Sequence, residues 1–433
     1  MQSDNSGLKA RLIQRTREVY RGNRVQVDGL QFHQPALGEY ESLYAWDSGW
    51  HALAASAFDP EAGILELQAL FSFQHDDGSV PHETRIKALG GSETLFRRFY
   101  IWLVRSQFDD RGRSLMVDPP SFLIAAAWLY RKTGDKRILD LLPHFQRCLD
   151  YLTTRRDLFG SGLISIIHPW ECGCDMAPYF DEVVDADVRM PWWMISYEIK
   201  LQRLMRRLAQ VGWSPERSVQ KGIFAFEDVG FNGLTAAGAL GMAELYRASG
   251  NETMALACEA CARKIAGAIE KYLWDDDRGY FYPRWNIDHP RLSYRSCLNG
   301  VAPLITGLVS KEKAERVILE YIESPRHFAT PWGISFNSLG EEDLHGFKHQ
   351  MLWRGPCQWV NMNWIAAEAA SAYGRTDLAR TITTRTARLI DASGFREYYN
   401  PHTGEGGGVK EFCWPGLVLE MIERHGIENG QLG

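Results

Sequence analysis

Cysteine is scarce in this 433-residue chain: Cys148, Cys172, Cys174, Cys258, Cys261, Cys297, Cys357 and Cys413 are too few and too scattered for a disulfide scaffold. No run approaches the ~18 consecutive apolar residues that a membrane span needs, and Met1 to Arg15 holds no apolar stretch of signal-peptide length. A soluble cytoplasmic protein with reduced thiols, and no membrane partner, is expected. Positive charge is also short, with 48 Lys and Arg against 54 Asp and Glu and a net charge of −6, so nucleic acid is not an expected partner. No polar low-complexity linker divides the chain, and one domain over 1–433 is expected although the length prior is about three. Aromatics, by contrast, are abundant: 15 Trp, 17 Tyr and 20 Phe, with several Trp beside Gly or Pro, where a core rarely needs them.

Helical periodicity dominates. Met254, Cys258, Cys261, Ile265, Ala268 and Tyr272 share one helix face within 251–274. Leu95, Phe99 and Trp102 repeat the pattern in 93–108, and Ile138, Leu142, Phe145, Leu149 and Leu152 do so in 136–154. Tyr130-Arg-Lys-Thr-Gly-Asp135 and Tyr246-Arg-Ala-Ser-Gly-Asn251 read as tight helical hairpins, with a glycine closing one helix and Asp or Asn capping the next; Tyr373-Gly-Arg-Thr-Asp377 repeats them loosely. About a dozen helices follow from such patterns. Long Gly-, Pro- and aromatic-rich loops separate them, and loops of that length inside a domain are usually functional. Segment 279–285 suggests a short β-hairpin.

Four segments carry candidate chemistry. His168-Pro-Trp-Glu-Cys-Gly-Cys-Asp-Met-Ala-Pro178 places Glu171 and Asp175 beside Trp170, and a carboxyl group against an aromatic wall loses hydration and keeps its proton. An ordinary turn would use the same composition. Gly394-Phe-Arg-Glu-Tyr-Tyr-Asn-Pro-His-Thr-Gly-Glu-Gly-Gly-Gly408, continued to Trp414, offers Glu397, Glu405 and Glu411 as bases. Its glycine run lacks the Lys-Ser/Thr of a phosphate loop. Trp353-Arg-Gly-Pro-Cys-Gln-Trp-Val-Asn-Met-Asn-Trp364 predicts a helix whose first turn holds Pro356 and whose mouth holds Trp353 and Arg354. Tyr44-Ala-Trp-Asp-Ser-Gly-Trp-His51 opens another helix with Trp46 and Asp47. Trp102, Trp128, Trp274, Trp359 and Trp364 are read as core. Neither Cys258 with Cys261 nor Cys172, Cys174 and His168 supplies the spaced ligands of a zinc site, so no metal is expected. Acids, an arginine, amides and flat aromatic faces together suit a sugar. A sugar epimerase using His75, His82, His168 or His402, and a carbohydrate-binding protein without catalysis, are the rival readings.

Taken in order, from Trp46-Asp47 through Gly78-Ser-Val-Pro-His82, Pro119-Pro120 and the 168–178 loop to Trp353-Arg-Gly-Pro356 and 394–414, the segments resemble glycoside hydrolase family 63 and the related trehalases. Its small bacterial members, the mannosylglycerate and glucosylglycerate hydrolases, are similar in length. The resemblance implies an all-α (α/α)6 toroid, and an inverting α-glycosidase that acts on a short α-glucoside or α-mannoside without a cofactor. Asp175 matches the general acid of a Glu-Ser-Gly-x-Asp-Asn-Ser-Pro pattern whose Ser, Asn and Ser are Cys172, Met176 and Ala177 here. Glu397 matches the base of a Glu-x-Tyr segment, with Glu411 and then Glu405 as reserves. By the same resemblance Asp47 holds sugar hydroxyls, Trp46, Trp170, Trp353 and Trp414 wall the sugar, and Arg354 either touches it or supports the base loop. The partner is a small glycoside, and homo-oligomerisation is left open.

Overall fold

A computed structural model of the chain describes residues 2–86, 105–187, 192–341, 353–355 and 357–428. Its main helices begin with α1 (Gln2–Asn23), α2 (Ala45–Ala55), α3 (Pro60–Phe71), α4 (Ser121–Thr133), α5 (Leu142–Arg155) and α6 (Trp193–Gln210). They continue with α7 (Val229–Ala248), α8 (Glu252–Tyr272), α9 (Lys311–Val317), α10 (Val360–Ala372), α11 (Thr376–Ser393) and α12 (Leu417–His425). Six elements close an inner ring: α2, α4, α7, the 3₁₀ helix Leu298–Thr306, α10 and α12, each against the next and α12 back against α2. α1, α3, α5, α8, α9 and α11 alternate with them along the chain. This alternation is the (α/α)6 toroid, and α6 is an addition between α5 and α7.

The two rings differ in composition. In α10 every residue from Val360 to Ala370 is buried, and α2 is buried at all but Asp47, so neither helix has a polar face to turn outward. Close packing follows from small residues: a Cβ at Gly49 of α2 would lie 2.0 Å from Ser121 Oγ of α4. In α8, Cys258, Ile265 and Ala268 are buried, whereas Cys261, Met254 and Tyr272 are half-buried at the edge of that face. A single apolar cluster extends from Leu8 to Ile422.

The hairpin signatures form as expected, with the Asp135 side chain accepting from Arg137 N and that of Asn251 from Met254 N. Other expectations need correction. The helix expected over 136–154 is two helices, Lys136–Asp140 and α5, because Pro143 in the first turn of α5 cannot donate back into a continuous ladder. Segment 279–285 contributes to hairpins as expected, but with partners on either side of it: Tyr280–Phe281 pairs with Trp274–Asp275, while Arg284–Trp285 pairs with Arg291–Leu292 and with Phe226–Glu227. The helix expected from Pro356 starts at Val360, with Trp359 as its extended N-cap, and Pro356 itself lies outside the described residues. Most of the 93–108 helix, Trp102 included, also lies outside them, and Arg105–Gln107 forms a 3₁₀ turn.

Short antiparallel hairpins decorate the ring. β1 (Arg24–Val27) pairs with β2 (Leu30–His33), and β3 (Arg396–Tyr399) with β4 (Gly406–Lys410) across a register shift between Arg396 and Tyr398. The first turn of α2 carries Trp46, and the segments leading into α4, α10 and α12 carry Asp118, Trp353 and Trp414. These inner-helix N-termini therefore surround one end of the ring.

Candidate active site

The 168–178 loop uses one of its two acids as a structural clamp. Glu171 is fully buried and accepts from both terminal nitrogens of buried Arg156 at 2.8 Å, from Ile167 N at 2.7 Å and from Val117 N at 3.1 Å. Its lone pairs are spent on holding the loop. Gly173, at φ +72°, lets the loop lie flat on an indole, since a Cβ there would come within 2.7 Å of Trp46. Asp175 follows, half-buried and in no ion pair among the described residues. Burial pushes its carboxyl up to about 7. Cys172 and Ala177 are buried and Met176 is half-buried, so the side chains at the three altered positions supply little polarity to offset that burial.

Glu397 stands in β3, and its side chain is held by two donors. Tyr40 Oη donates to Oε1 at 2.6 Å and Val409 N to Oε2 at 2.9 Å. Gly408, at φ +60°, permits this approach, because a Cβ there would sit 2.3 Å from Oε2. Burial raises the carboxyl above its ordinary range, while the two donors oppose the shift by favouring the ionised form. Tyr40→Phe removes the phenol donor without opening a cavity. It is expected to lower kcat about tenfold and to move the acidic limb of the pH–rate profile upward. Steady-state rates from pH 4 to 9 check both.

Asp47, in the first turn of α2, connects these two carboxyls. Its own carboxyl is raised well above the ordinary range by burial and then by the charges of Glu397 and Asp175, with the Trp414 side chain acting in the opposite direction. Asp118 adds a fourth acid. It accepts from Trp46 N at 3.0 Å through Oδ2, its Oδ1 is buried without a protein partner among the described residues, and burial again raises it, assisted by Asp175, Asp47 and Glu171. Four carboxyls from two loops, one strand and one helix thus share one field, and the helix N-terminus that carries Asp47 favours negative charge there.

An aromatic wall adjoins the acids. Trp353 and Trp359 stack at 3.9 Å and 11°, Trp414 lies 5.7 Å from Trp359 and 6.4 Å from Trp46, and Trp46 lies 5.1 Å from Trp50. Trp50 then contacts Trp364 at 5.6 Å. Trp46, Trp353 and Trp414, expected at the site, are buried and form one continuous layer with Trp359, expected in the core. Trp170 is separate and half-buried, edge-on to His168 at 5.0 Å.

Two expected site residues lie elsewhere. Arg354 is fully buried between Trp193 and Tyr197 and forms a two-pronged ion pair with Asp181, at 2.9 Å for one prong. It braces the segment that follows the 168–178 loop. Glu411 is exposed and pairs with Arg15 of α1 at 2.5 Å, because its left-handed backbone at φ +57° turns it toward that helix. Glu405 is exposed in the β3–β4 turn. Of the histidines, His168 is buried and driven down to about 3 by that burial, His75 Nε2 is bonded to Ser114 O at 2.9 Å, and His402 is exposed in the same turn as Glu405. Sequence reasoning missed Tyr40, Asp118 and Asp181. Asp118 alone carried a signal, its place directly before Pro119-Pro120.

Comparisons with known proteins agree with this architecture. The family described as mannosylglycerate hydrolase MGH1-like glycoside hydrolase domain matches residues 40–415. The mannosylglycerate hydrolase of Rubrobacter radiotolerans is 28% identical over 90% of this chain and 93% of its own. The glucosylglycerate hydrolase of Mycolicibacterium hassiacum is 25% identical over 97% and 99%. Among solved structures, the family 63 mannosylglycerate hydrolase of Thermus thermophilus in complex with Tris has a TM-score of 0.79 at 24% identity, covering 95% of this chain and 100% of that one. Neutral trehalase from Saccharomyces cerevisiae reaches 0.58 at 16%, covering 95% and 80%. The chain belongs to the MGH1-like mannosylglycerate hydrolase family of glycoside hydrolases, and it is a glycosidase.

Proposed function

We propose that this glycosidase hydrolyses a short α-linked glycoside of the glycosylglycerate type with inversion, using Asp175 as general acid and Glu397 as general base. The observation that carries the reading is the opposite treatment of two carboxyls that act on the same Asp47. Asp175 has no cation among the described residues to hold its charge and is pushed up to about 7, which suits a group that must arrive protonated. Glu397 is fixed by Tyr40 and Val409, donors that suit an ionised group.

In the reaction Asp175 gives its proton to the glycosidic oxygen as the C1–O bond breaks. Glu397 takes a proton from the water that attacks C1 from the opposite face. Inverting enzymes leave room for that water by holding the two carboxyls about 6.5–9.5 Å apart. Asp47 and Asp118 supply further groups for sugar hydroxyls, and the charge of ionised Glu397 stabilises the oxocarbenium-like transition state. Trp46 and Trp414 form one wall, and half-buried Trp170 supplies a further aromatic face. The named relatives act on mannosylglycerate and glucosylglycerate, which supports an α-mannoside or α-glucoside with a glycerate leaving group. The single apolar cluster supports one catalytic domain over the whole chain, and eight unbridged cysteines suit a cytoplasmic setting.

Proton NMR during turnover tests the stereochemistry. The β-hexose is expected to appear first and then mutarotate; initial release of the α-hexose rejects inversion. Released hexose from a panel of α-glucosides, α-mannosides and their glycerates identifies the substrate.

A further inference from the structure

On the outer ring, the arginines near the N-terminus divide into two sets. Arg11 pairs with Asp391 at 2.6 Å, and Arg15 pairs with Glu411 at 2.5 Å and Glu18 at 3.1 Å. Arg17 and Arg21, one turn apart on α1, and Arg24 at the start of β1 have no ion pair among the described residues. All three line a cavity of about 210 Å³ that also touches His33 and the first turn of α3. In a chain with a net charge of −6, this concentration is local and is not general basicity.

The floor of the cavity is polar. His33 is only 3% exposed, lines the cavity, and has its Nδ1 held by Glu66 Oε2 at 2.9 Å. Glu66 is fully buried; burial works against its charge, yet hydrogen bonding to His33 and His51 brings it down to about 2, so an ionised carboxylate backs the His33 ring. Asp59 is the one acid on the cavity wall among the described residues, and its Oδ1 already caps α3 by accepting from Ala62 N at 3.3 Å. The start of this 12-residue helix adds its positive dipole end. Three guanidinium groups, one buried imidazole and a helix N-terminus meet one engaged carboxylate.

We propose that this cavity binds a phosphate-class dianion, either inorganic phosphate or the phosphoryl group of a small ester, held by Arg17, Arg21 and Arg24 with His33 at the floor. A planar carboxylate presents two oxygens in one plane, whereas guanidinium groups from two elements and an imidazole from a third match a tetrahedral oxyanion with acceptors on several sides. The site is separate from the acids around Asp47. Asp391 and Glu411 neutralise the other two arginines, and Glu18, paired with Arg15, reaches Arg21 only through its field.

Isothermal titration of the full chain with inorganic phosphate, at ionic strength held constant with chloride, tests the proposal. Saturable binding of one equivalent is expected. The double substitution Arg17→Gln/Arg24→Gln should weaken it by roughly tenfold or more, and Arg21→Gln should weaken it as well. Arg11→Gln, whose partner is Asp391, should leave it unchanged. Parallel titrations with glycerol phosphate and a hexose 6-phosphate distinguish the sources: tighter binding of an ester assigns a phosphoester, and equal or weaker binding assigns free phosphate. Absence of saturable binding above the chloride control overturns the proposal, as does an unchanged affinity in the double variant whose glycosidase rate shows it to be folded.

Discussion

Glu397→Gln is expected to lower kcat at least a hundredfold, with KM little changed and folding intact, because general-base assistance of this kind is worth roughly 10²- to 10⁴-fold. The amide is nearly isosteric. Its oxygen can still accept from Val409 N, and its nitrogen can donate to Tyr40 Oη if the phenol turns acceptor, so the hairpin should keep its geometry. What is lost is the capacity to take a proton from the attacking water. Loss of the base is also expected to remove the acidic limb of the pH–rate profile, which in the wild type should fall as Glu397 becomes protonated and should lie above the ordinary Glu range because burial raises that carboxyl. Rates near wild type would move the role to Glu405 or Glu411. Both are exposed, and Glu411 is already paired with Arg15, so each would need the hairpin to rearrange.

Asp175→Asn should cost as much on unactivated α-glycosides and far less on substrates whose leaving group departs without a proton. That contrast separates a general acid from a residue that merely binds sugar, which would affect both substrate classes alike. In the wild type, kcat/KM is expected to fall above a pH of about 7, where Asp175 loses its proton, and this basic limb should vanish in the variant. Stability gives an independent readout. The folded carboxyl titrates near 7 against 3.8 for the free group, so between those values the folded state holds a proton that the unfolded state has released. Stability from this group therefore declines as pH rises through that window, and the ionised, half-buried Asp175 is a standing cost above it. Asn carries no charge. Melting curves should place Tm of Asp175→Asn above that of the wild type at pH 8, with the difference closing toward pH 4. An equal Tm at both values would show that Asp175 is not held in its neutral form.

The inner and outer helices were legible because their pattern is local. Cys258, Ile265 and Ala268 recur at helical spacing, and Asp135 and Asn251 cap where a glycine has just ended a helix. Order and spacing of the aromatic and acidic segments also sufficed to place the chain in its family. Local pattern failed where a backbone donor or a long-range pairing decides the outcome. Pro143 splits one expected helix, and the strand at Arg284–Trp285 takes a partner dozens of residues away at Phe226–Glu227.

By itself, then, the sequence determined a helix-rich chain through periodicity and caps, and, through the family resemblance that motif order carries, the (α/α)6 class, the glycoside hydrolase family and the loops that bear the candidate acids. Tertiary structure decided what each charged group is for. Glu171 and Asp175 are four residues apart in one loop, yet Arg156 neutralises the first and no cation among the described residues meets the second. Glu397 and Glu411 flank one hairpin, yet Tyr40 and a backbone amide hold the first inside while Arg15 draws the second to the surface. Arg354, from a segment that looked sugar-binding, became a buried brace for Asp181. A side chain's type is in the sequence, but its hydration and its counter-charge come from residues distant along the chain, and those two quantities set whether a carboxyl binds, braces or transfers a proton.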